Sequence, residues 1–308
     1  MKKSFLFALL AIFFVGCEPP IPDDPTPDDP IIDNPTPDDP SDDPSDDDST
    51  TPVIKSIFSV SGTQTVTFAP GNLQYTQSTN TWSFASAQYE QIGTDNVVGG
   101  SHLTDPSAGS FRYGKDLADK VDMFGWSTSA TNFGVSTSKS NQDYSGDFVD
   151  WGTNKIGEDD PNTWRTPTLA EWEYIIKTRP NAKELQAAAQ VNGVSGLILL
   201  PDAWVCPADI TFKPGFREYS SMAEFAEHQS FTAEQWAVLE QAGAVFLPAS
   251  GFREGPKMYN VDYFGRYWAS TAPVESLDVD FLGFYSDEVY VSNCSRLGGQ
   301  CVRLIKDL

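Results

Sequence analysis

Apolar and polar positions alternate with a period of two soon after residue 53. Four apolar residues of this segment stand at even spacings, with Ser, Thr and Gln between them: Phe58, Val60, Val66 and Phe68. This pattern predicts a hairpin that is buried on one face. The Pro-Gly-Asn sequence at 70–72 predicts a turn, after which Leu73 and Tyr75 resume the alternation.

Helices are predicted at three capping boxes, where a hydroxyl residue and a Glu or Gln three positions later satisfy free backbone amides. The boxes occupy residues 168–171, 221–224 and 232–235. The apolar residues expected to face inward are Leu169, Trp172, Ile175 and Ile176 in the first helix, Phe225 in the second, and Trp236 and Leu239 in the third. We expect Pro180 to close the first helix and Gly243 to follow the third as its C-cap.

Short β-rich stretches lie between and after these helices. The predicted strands span 197–200, 244–247, 267–269, 279–281, 288–291 and 302–305. Few short helices among irregular strands indicate an α+β domain. We find no internal repeat and no break in composition after residue 53, so residues 53–308 are predicted to form one domain.

Charge separates the chain into parts. The net charge of -23 comes from 43 acidic and 20 basic residues, and residues 18–52 contain Glu18 and twelve Asp but no Lys or Arg. These 35 residues repeat Pro-Asp-Asp units and have almost nothing apolar to bury, which predicts a disordered acidic linker. The lack of a basic face argues against nucleic-acid binding.

Residues 1–17 have the composition of an export signal. Two lysines precede an apolar run from Phe5 to Val15, which is too short for a bilayer span and suits a secretory signal peptide. Gly16 and Cys17 follow at once and resemble the lipobox of bacterial lipoproteins, which implies that Cys17 is acylated. An ordinary signal peptide with an incidental cysteine is the alternative. The acidic residues behind Cys17 resemble surface-export signals of Bacteroidota lipoproteins, so we expect a lipid anchor in the outer membrane, with the domain exposed at the cell surface.

Several motifs of the domain resemble a known fold family. WRTPT at 164–168 and AEWEY at 170–174 resemble the signature of the formylglycine-generating-enzyme (sulfatase-modifying-factor) family, a variant of the C-type-lectin fold. YWAST at 267–271 and CVRLI at 301–305 resemble its closing strands. Further motifs resemble a family of Bacteroidota surface lipoproteins: DMFGW at 122–126, DWG at 150–152, LLPD at 199–202 and FLPASG at 246–251. The resemblance implies a C-type-lectin-like domain. Independently of it, Arg165 is expected to form a structural ion pair with a nearby carboxylate such as Glu171 or Glu173.

The cysteines bear on whether the chain is an enzyme. The family enzyme oxidises a substrate cysteine with a reactive cysteine pair, but here Cys294 and Cys301 stand seven residues apart in a different local motif. They are predicted to close a hairpin disulfide if the strands pair in that register, or else to be two unpaired thiols. Cys206 is predicted to be a buried thiol. Cysteine-oxidising activity is therefore an alternative to a non-catalytic role.

Other catalytic chemistry finds little support. The chain has two histidines, of which His228 is expected to end a helix and His102 lies in a Gly/Ser loop. No spacing suggests a catalytic triad, a zinc site or a nucleotide loop. The acidic residues 158–162 could supply oxygens to a structural Ca²⁺, although acidic turns are usually only solvated. Standard calcium–sugar triplets of lectins are absent, so no metal site and no cofactor are predicted.

The segment 252–300 combines tyrosines with short polar residues and arginines. Tyrosine offers contact area at low entropic cost, as in antibody loops, and in the C-type-lectin fold this segment resembles the ligand-binding face. The candidate ligand-binding residues are Tyr259, Tyr263, Arg266, Trp268, Tyr285, Asp287, Tyr290, Asn293 and Arg296. We expect a non-catalytic, adhesin-like module for a glycan or a protein ligand. A structural component of fimbriae or the envelope is a further alternative, and so is an ordinary solvated surface.

Overall fold

The computed structural model describes residues 56–98, 102–105, 109–114, 116–217, 225–273 and 276–308, with the backbone path alone at 102–105 and 109–113. The predicted signal peptide with Cys17, the 18–52 linker and the capping box at 221–224 lie outside the described residues, as does the side chain of His102. Within the described part, no helix combines the length and the apolar character that crossing a bilayer requires.

The described residues form many short strands and few short helices, which confirms the α+β class. The strands are β1 Phe58–Ser59, β2 Thr65–Phe68, β3 Leu73–Thr76, β4 Thr81–Phe84, β5 Val97–Val98, β6 His102–Asp105, β7 Gly109–Tyr113, β8 Asp116–Leu117, β9 Lys120–Val121, β10 Gln186–Val191, β11 Val194–Leu199, β12 Ser230–Phe231, β13 Val245–Pro248, β14 Phe252–Glu254, β15 Lys257–Tyr259, β16 Gly265–Trp268, β17 Asp278–Phe284, β18 Val289–Ser295, β19 Gly298–Gly299 and β20 Ile305–Asp307. The α-helices are α1 Leu169–Glu173, α2 Phe225–His228 and α3 Ala233–Gln241, and a π-helical turn at Tyr174–Thr178 extends α1.

The strands assemble into several small sheets. Their strand orders are β1-β2-β20, β12-β10-β11-β13, β19-β14-β15-β7-β6, β16-β17-β18, β4-β3-β9 and the pair β5-β8. The β10–β12 pair is parallel, and the other ladders are antiparallel. The predicted hairpin forms from β1 and β2, where Phe58 lies opposite Val66, and its four predicted inward residues are all buried.

Two of the predicted capping boxes are confirmed. The Thr168 hydroxyl accepts from the Glu171 amide, and the Glu171 carboxylate accepts in return from the Thr168 amide. Thr232 and Gln235 make the same exchange at the start of α3. Gly243 follows the end of α3 with φ of 95°, a conformation that glycine adopts without strain.

The buried side chains divide into three clusters. The first core includes Phe58, Phe68, Trp172, Ile175, Leu197, Leu247, Tyr267, Leu282 and Phe284; the second core includes Trp82, Phe124, Trp126, Trp151, Trp268, Val279, Phe281 and Val302; the third core includes Val191, Ile198, Phe231, Trp236, Leu239 and Phe246. Alternation along β16 and β17 directs Tyr267 and Leu282 into the first core and Trp268 and Phe281 into the second. The β16-β17-β18 sheet therefore separates the first core from the second.

Two features of the backbone differ from prediction. The strand predicted at 302–305 pairs in a ladder only from Ile305 onward, because the backbone carbonyls of Val302 and Leu304 accept instead from the Leu73 and Ala69 amides. Strand β10 was not predicted, since its three consecutive alanines are better helix formers than strand formers. It forms because β11 and β12 pair with both of its edges.

The predicted ion pair of Arg165 is confirmed with Glu171 and extended by Asp307. Nη2 of Arg165 lies 2.6 Å from a carboxylate oxygen of each partner. Burial alone would raise the pKa of Glu171, but the hydrogen bonds from Arg165 and Thr168 outweigh it and lower the pKa. The hydrogen bond from Arg165 also lowers the pKa of Asp307. Glu173, the other predicted partner, pairs with Lys177.

These lowered pKa values predict acid sensitivity. A carboxylate whose pKa is lower in the folded state stabilises the fold above its unfolded pKa of about 4, and this stability is lost as the pH falls through the folded value. Glu171→Gln preserves the capping geometry but removes the charge. We expect the variant to lose about 1–2 kcal/mol at pH 7 and to show a shallower loss below pH 4. Urea unfolding between pH 7 and pH 2.5 measures both quantities, and parallel pH profiles would contradict the prediction.

Candidate functional site

The predicted binding residues lie on and around the β16-β17-β18 sheet. Tyr259 ends β15, Arg266 is on β16 and Tyr290 is on β18. Tyr285 lies in the turn between β17 and β18, where its amide donates to the Glu288 carbonyl. These four residues come together, and they do so around phenylalanines that the sequence had not indicated.

Three phenylalanine rings lie around Arg266 and one tyrosine ring packs against each of them, and we call this group the Arg266 cluster. Its members are Phe252, Tyr259, Phe264, Arg266, Phe281, Tyr285 and Tyr290. The guanidinium carbon lies 4.7 Å from the ring centre of Phe252, 4.9 Å from that of Phe264 and 5.0 Å from that of Phe281. These distances are in the range of attractive cation–π contacts.

The tyrosine rings of the cluster are held in fixed positions by their neighbours. Tyr285 and Tyr290 stack at 5.9 Å with an angle of 19° between their planes. Tyr285 also packs against Phe264 at 5.2 Å, and Tyr259 stacks on Phe252 at 4.9 Å. All three tyrosines are partly exposed, so the rings form a pre-arranged surface that remains accessible.

A glycine makes room for this arrangement. In the sheet register Gly283 lies between Arg266 on one side and Tyr290 on the other. A Cβ atom at residue 283 would approach the Tyr290 ring within 2.6 Å. Because such a contact is too close, a side chain at this position would displace Tyr290 from the cluster.

The guanidinium of Arg266 makes no hydrogen bond within the described residues. Arg266 is partly exposed, and its Nε is buried without a hydrogen-bond partner. Phenylalanine rings pack around the guanidinium, which leaves its donors without a hydrogen-bond acceptor among the described residues. The site therefore combines an apolar aromatic platform with an unsatisfied positive charge.

Trp268 is a correction to the predicted site. It is 0% exposed and lies in the second core, where its Nε1 donates to the Phe124 carbonyl at 2.7 Å. It shares a sheet face with Arg266, but Phe124 and Val302 belong to the core that encloses it. No ligand can reach this indole without opening the core.

The remaining predicted residues lie outside the cluster. Arg296 packs over Trp126 at 4.9 Å and donates to the Ser276 carbonyl. Asn293 is exposed, but it alternates with Tyr290 and Ser292 along β18 and so points to the opposite face of the sheet. Tyr263 and Asp287 are partly exposed in turns next to β16 and β18.

The predicted disulfide is not formed, since Cys294 and Cys301 are both free. They contact different cores, with Cys294 against the second and Cys301 inside the first. Burial raises the pKa of Cys294 to about 11 and that of Cys301 well above its ordinary value. Cys206 is also a correction, because it is exposed and not buried. Its thiol donates to the Ile210 carbonyl.

The acidic residues 158–162 make internal contacts. The Asp159 carboxylate accepts from the Trp164 indole at 2.8 Å, and Glu158 pairs with Lys155. In the described part of the chain, no group of three or more His, Cys, Asp or Glu side chains is placed to hold a metal ion. His228 ends α2 as predicted, and its ring Nε2 lies 3.1 Å from the Lys213 carbonyl.

Comparison with known proteins finds no match to this chain among protein-family models, curated proteins or solved structures.

Proposed function

We propose that the chain is a non-catalytic, adhesin-like binding module, and that the Arg266 cluster is its ligand site. The observation that carries this proposal is the set of partly exposed tyrosines held by ring stacking around a guanidinium without a protein partner. Aromatic residues in soluble domains usually contact one another inside a core. Here the three tyrosine rings instead border solvent beside the guanidinium, which is the composition of a recognition surface.

The proposed mechanism is equilibrium recognition by a preformed surface. Stacking already restricts Tyr259, Tyr285 and Tyr290 before any ligand arrives. Fewer rotamers are then lost on binding, which lowers the entropic cost of association. The rings supply apolar contact, and the polar residues at the edge of the cluster supply directional hydrogen bonds.

The cellular setting is part of the same proposal. The lipobox-like end of the leader supports acylation at Cys17, and the acidic linker supports display of the domain away from the outer membrane. The motifs at 164–174, 267–271 and 301–305 support a C-type-lectin-like fold. In this setting the ligand is a glycan or a surface protein of the surroundings.

The thiols do not favour the cysteine-oxidising alternative. A reactive cysteine needs a thiolate at neutral pH. Cys294, with a pKa of about 11, is protonated there, and Cys301 is enclosed in the first core. No observation favours a structural role in fimbriae over ligand binding.

Tyr285→Ala and Tyr290→Ala test the proposal. The wild-type domain, residues 53–308, is first probed on arrays of glycans and surface proteins to find a ligand. Each variant is then expected to weaken that binding about 30-fold or more, because truncation of a central aromatic residue costs about 2 kcal/mol or more. Dissociation constants from calorimetry measure the effect.

Tyr89→Ala is the matched control. Tyr89 is also a half-buried tyrosine, but it packs against the third core and not in the Arg266 cluster. The Tyr89→Ala variant should bind the ligand with the affinity of the wild type. Absence of binding on every array, or binding that neither cluster variant weakens, would contradict the proposed site.

A further inference from the structure

Arg266 differs from the other arginines of the domain. Each of the others with a described side chain has an oxygen partner within the protein: Arg165, Arg179, Arg217, Arg253, Arg296 and Arg303. In Arg253 and Arg303, which are fully buried, the partners are neutral oxygens. Arg266 alone among them has neither a hydrogen bond nor an ion pair, although its Nε is buried.

We infer that Arg266 binds a carboxylate of the ligand, and that the ligand is an acidic oligosaccharide containing uronic acid. This inference rests on the proposed function, since it assigns the ligand class of the same site. The two terminal nitrogens of the guanidinium would donate to the two carboxylate oxygens, while sugar rings lie against Tyr285 and Tyr290.

The surroundings of Arg266 favour an anion over a neutral hydroxyl group. Phe252, Phe264 and Phe281 pack around the guanidinium, so water reaches it mainly at its free edge. Arginine is weakly hydrated, and its planar fork matches the geometry of a carboxylate. Asp278 begins the adjoining strand β17 and Glu288 precedes β18, and within the described residues neither carboxylate forms an ion pair with Arg266. The guanidinium therefore has no direct ion-pair partner among the described residues, and a ligand carboxylate can supply one.

The dimensions of the cluster favour a saccharide over a folded protein. The exposed part consists of Tyr259, the Tyr285–Tyr290 stack and one guanidinium edge. A stable protein–protein interface buries about 800 Å² on each partner, which is far more than three partly exposed tyrosines provide. A few sugar residues with one carboxylate match this area and this single charge.

The decisive comparison changes the ligand and leaves the protein intact. Oligogalacturonate, hyaluronan and alginate fragments are titrated into the wild-type domain, and each is paired with its carboxyl-reduced, neutral counterpart. We expect at least one acidic fragment to bind about 10- to 100-fold more tightly than its reduced form, as for a charge-assisted hydrogen-bonded pair. Its affinity should also fall as the salt concentration rises.

Variants test whether Arg266 is responsible for the preference for acidic fragments. Arg266→Gln should remove the preference for the acidic form, and Arg266→Lys should restore only part of it, because lysine lacks the bidentate fork. Lys155→Gln removes one positive charge from an exposed pair elsewhere and should keep the preference. Thermal unfolding of each variant verifies that the domain remains folded.

The outcomes separate this inference from the proposed function. Equal binding of acidic and reduced fragments, weakened by Tyr290→Ala, would overturn the carboxylate assignment and retain the binding site. Binding only to acidic peptides or proteins would overturn the saccharide assignment. If no fragment and no array ligand binds, both proposals fail.

Discussion

Trp268→Ala is expected to lower the free energy of unfolding by about 3–5 kcal/mol, as large-to-small changes at buried aromatic sites do. The indole is fully buried in the second core beside Phe281 and Val302. Its removal leaves a cavity that the surrounding backbone cannot fill, since the Trp268 amide is also fixed to the Cys301 carbonyl. Urea unfolding followed by tryptophan fluorescence and circular dichroism measures the loss.

Trp268→Phe separates the packing of the side chain from its hydrogen bond. Phenylalanine keeps most of the ring volume and loses the indole donor, while the Phe124 carbonyl still accepts from the Gln300 amide. We therefore expect a smaller loss, about 1–2 kcal/mol. Ligand affinity per folded molecule should not change. A variant that is as stable as the wild type but does not bind ligand would show that Trp268 belongs to the ligand site, and would contradict its assignment to the core.

The sequence predicts the sheet face on which Trp268 lies, but not the burial of that face. Strand alternation places Trp268 and Arg266 on the same face, and this much follows from the sequence. Whether that face is covered depends on segments far away in the chain. Phe124 and Val302 complete the core around Trp268, whereas the Arg266 cluster on the same face of the sheet stays partly exposed. The difference between core and site is therefore a tertiary property.

The sequence predicted some residues of the candidate site but not the residues that they contact. Tyr259, Arg266, Tyr285 and Tyr290 were predicted because tyrosine and arginine are typical of recognition surfaces. Their partners were missed, because a phenylalanine in a β-rich segment is ordinarily assigned to a core: Phe252, Phe264 and Phe281. Only the register of β16 with β17, and the position of β14 next to them, bring these rings around one guanidinium.

Elements with local signals were predicted well. The capping boxes at Thr168 and Thr232 need only a partner three residues away, so their sequence determines their structure. Strand β10 depends on pairing with strands that lie farther along the chain, and its three alanines do not favour a strand by themselves. The burial of polar residues such as Asn72, Gln88 and Arg303 is equally non-local.

Arg303 connects parts of the chain that no ladder joins. Its Nε donates to the Asn72 side chain at 3.1 Å and its Nη1 to the Ala69 carbonyl at 3.2 Å, both at the turn between β2 and β3. Its Nη2 donates to the Phe246 carbonyl at 2.7 Å, on the outer edge of β13. The Gln88 side chain accepts from the Phe246 amide at this same edge. Arg303 and Gln88 thus replace the missing neighbour of an edge strand.

Arg303→Met is therefore expected to cost about 2–4 kcal/mol of stability. Burial lowers the pKa of Arg303 to about 10, so the side chain is charged at neutral pH, and its acceptors are neutral oxygens. Methionine fills a similar volume and removes the buried charge, which offsets part of the loss. It leaves the Phe246 and Ala69 carbonyls without this donor, at about 1–3 kcal/mol for each buried acceptor left unsatisfied.

Hydrogen exchange distinguishes this explanation from a general loss of packing. Removing Arg303 should raise the exchange rate of amides in β13 and at the 69–73 turn more than that of amides in α1, because those two segments lose their connection. Asn72→Ala provides a smaller perturbation of the same network. If Arg303→Met keeps wild-type stability, or if exchange rises evenly over the domain, Arg303 does not act as the edge partner of β13.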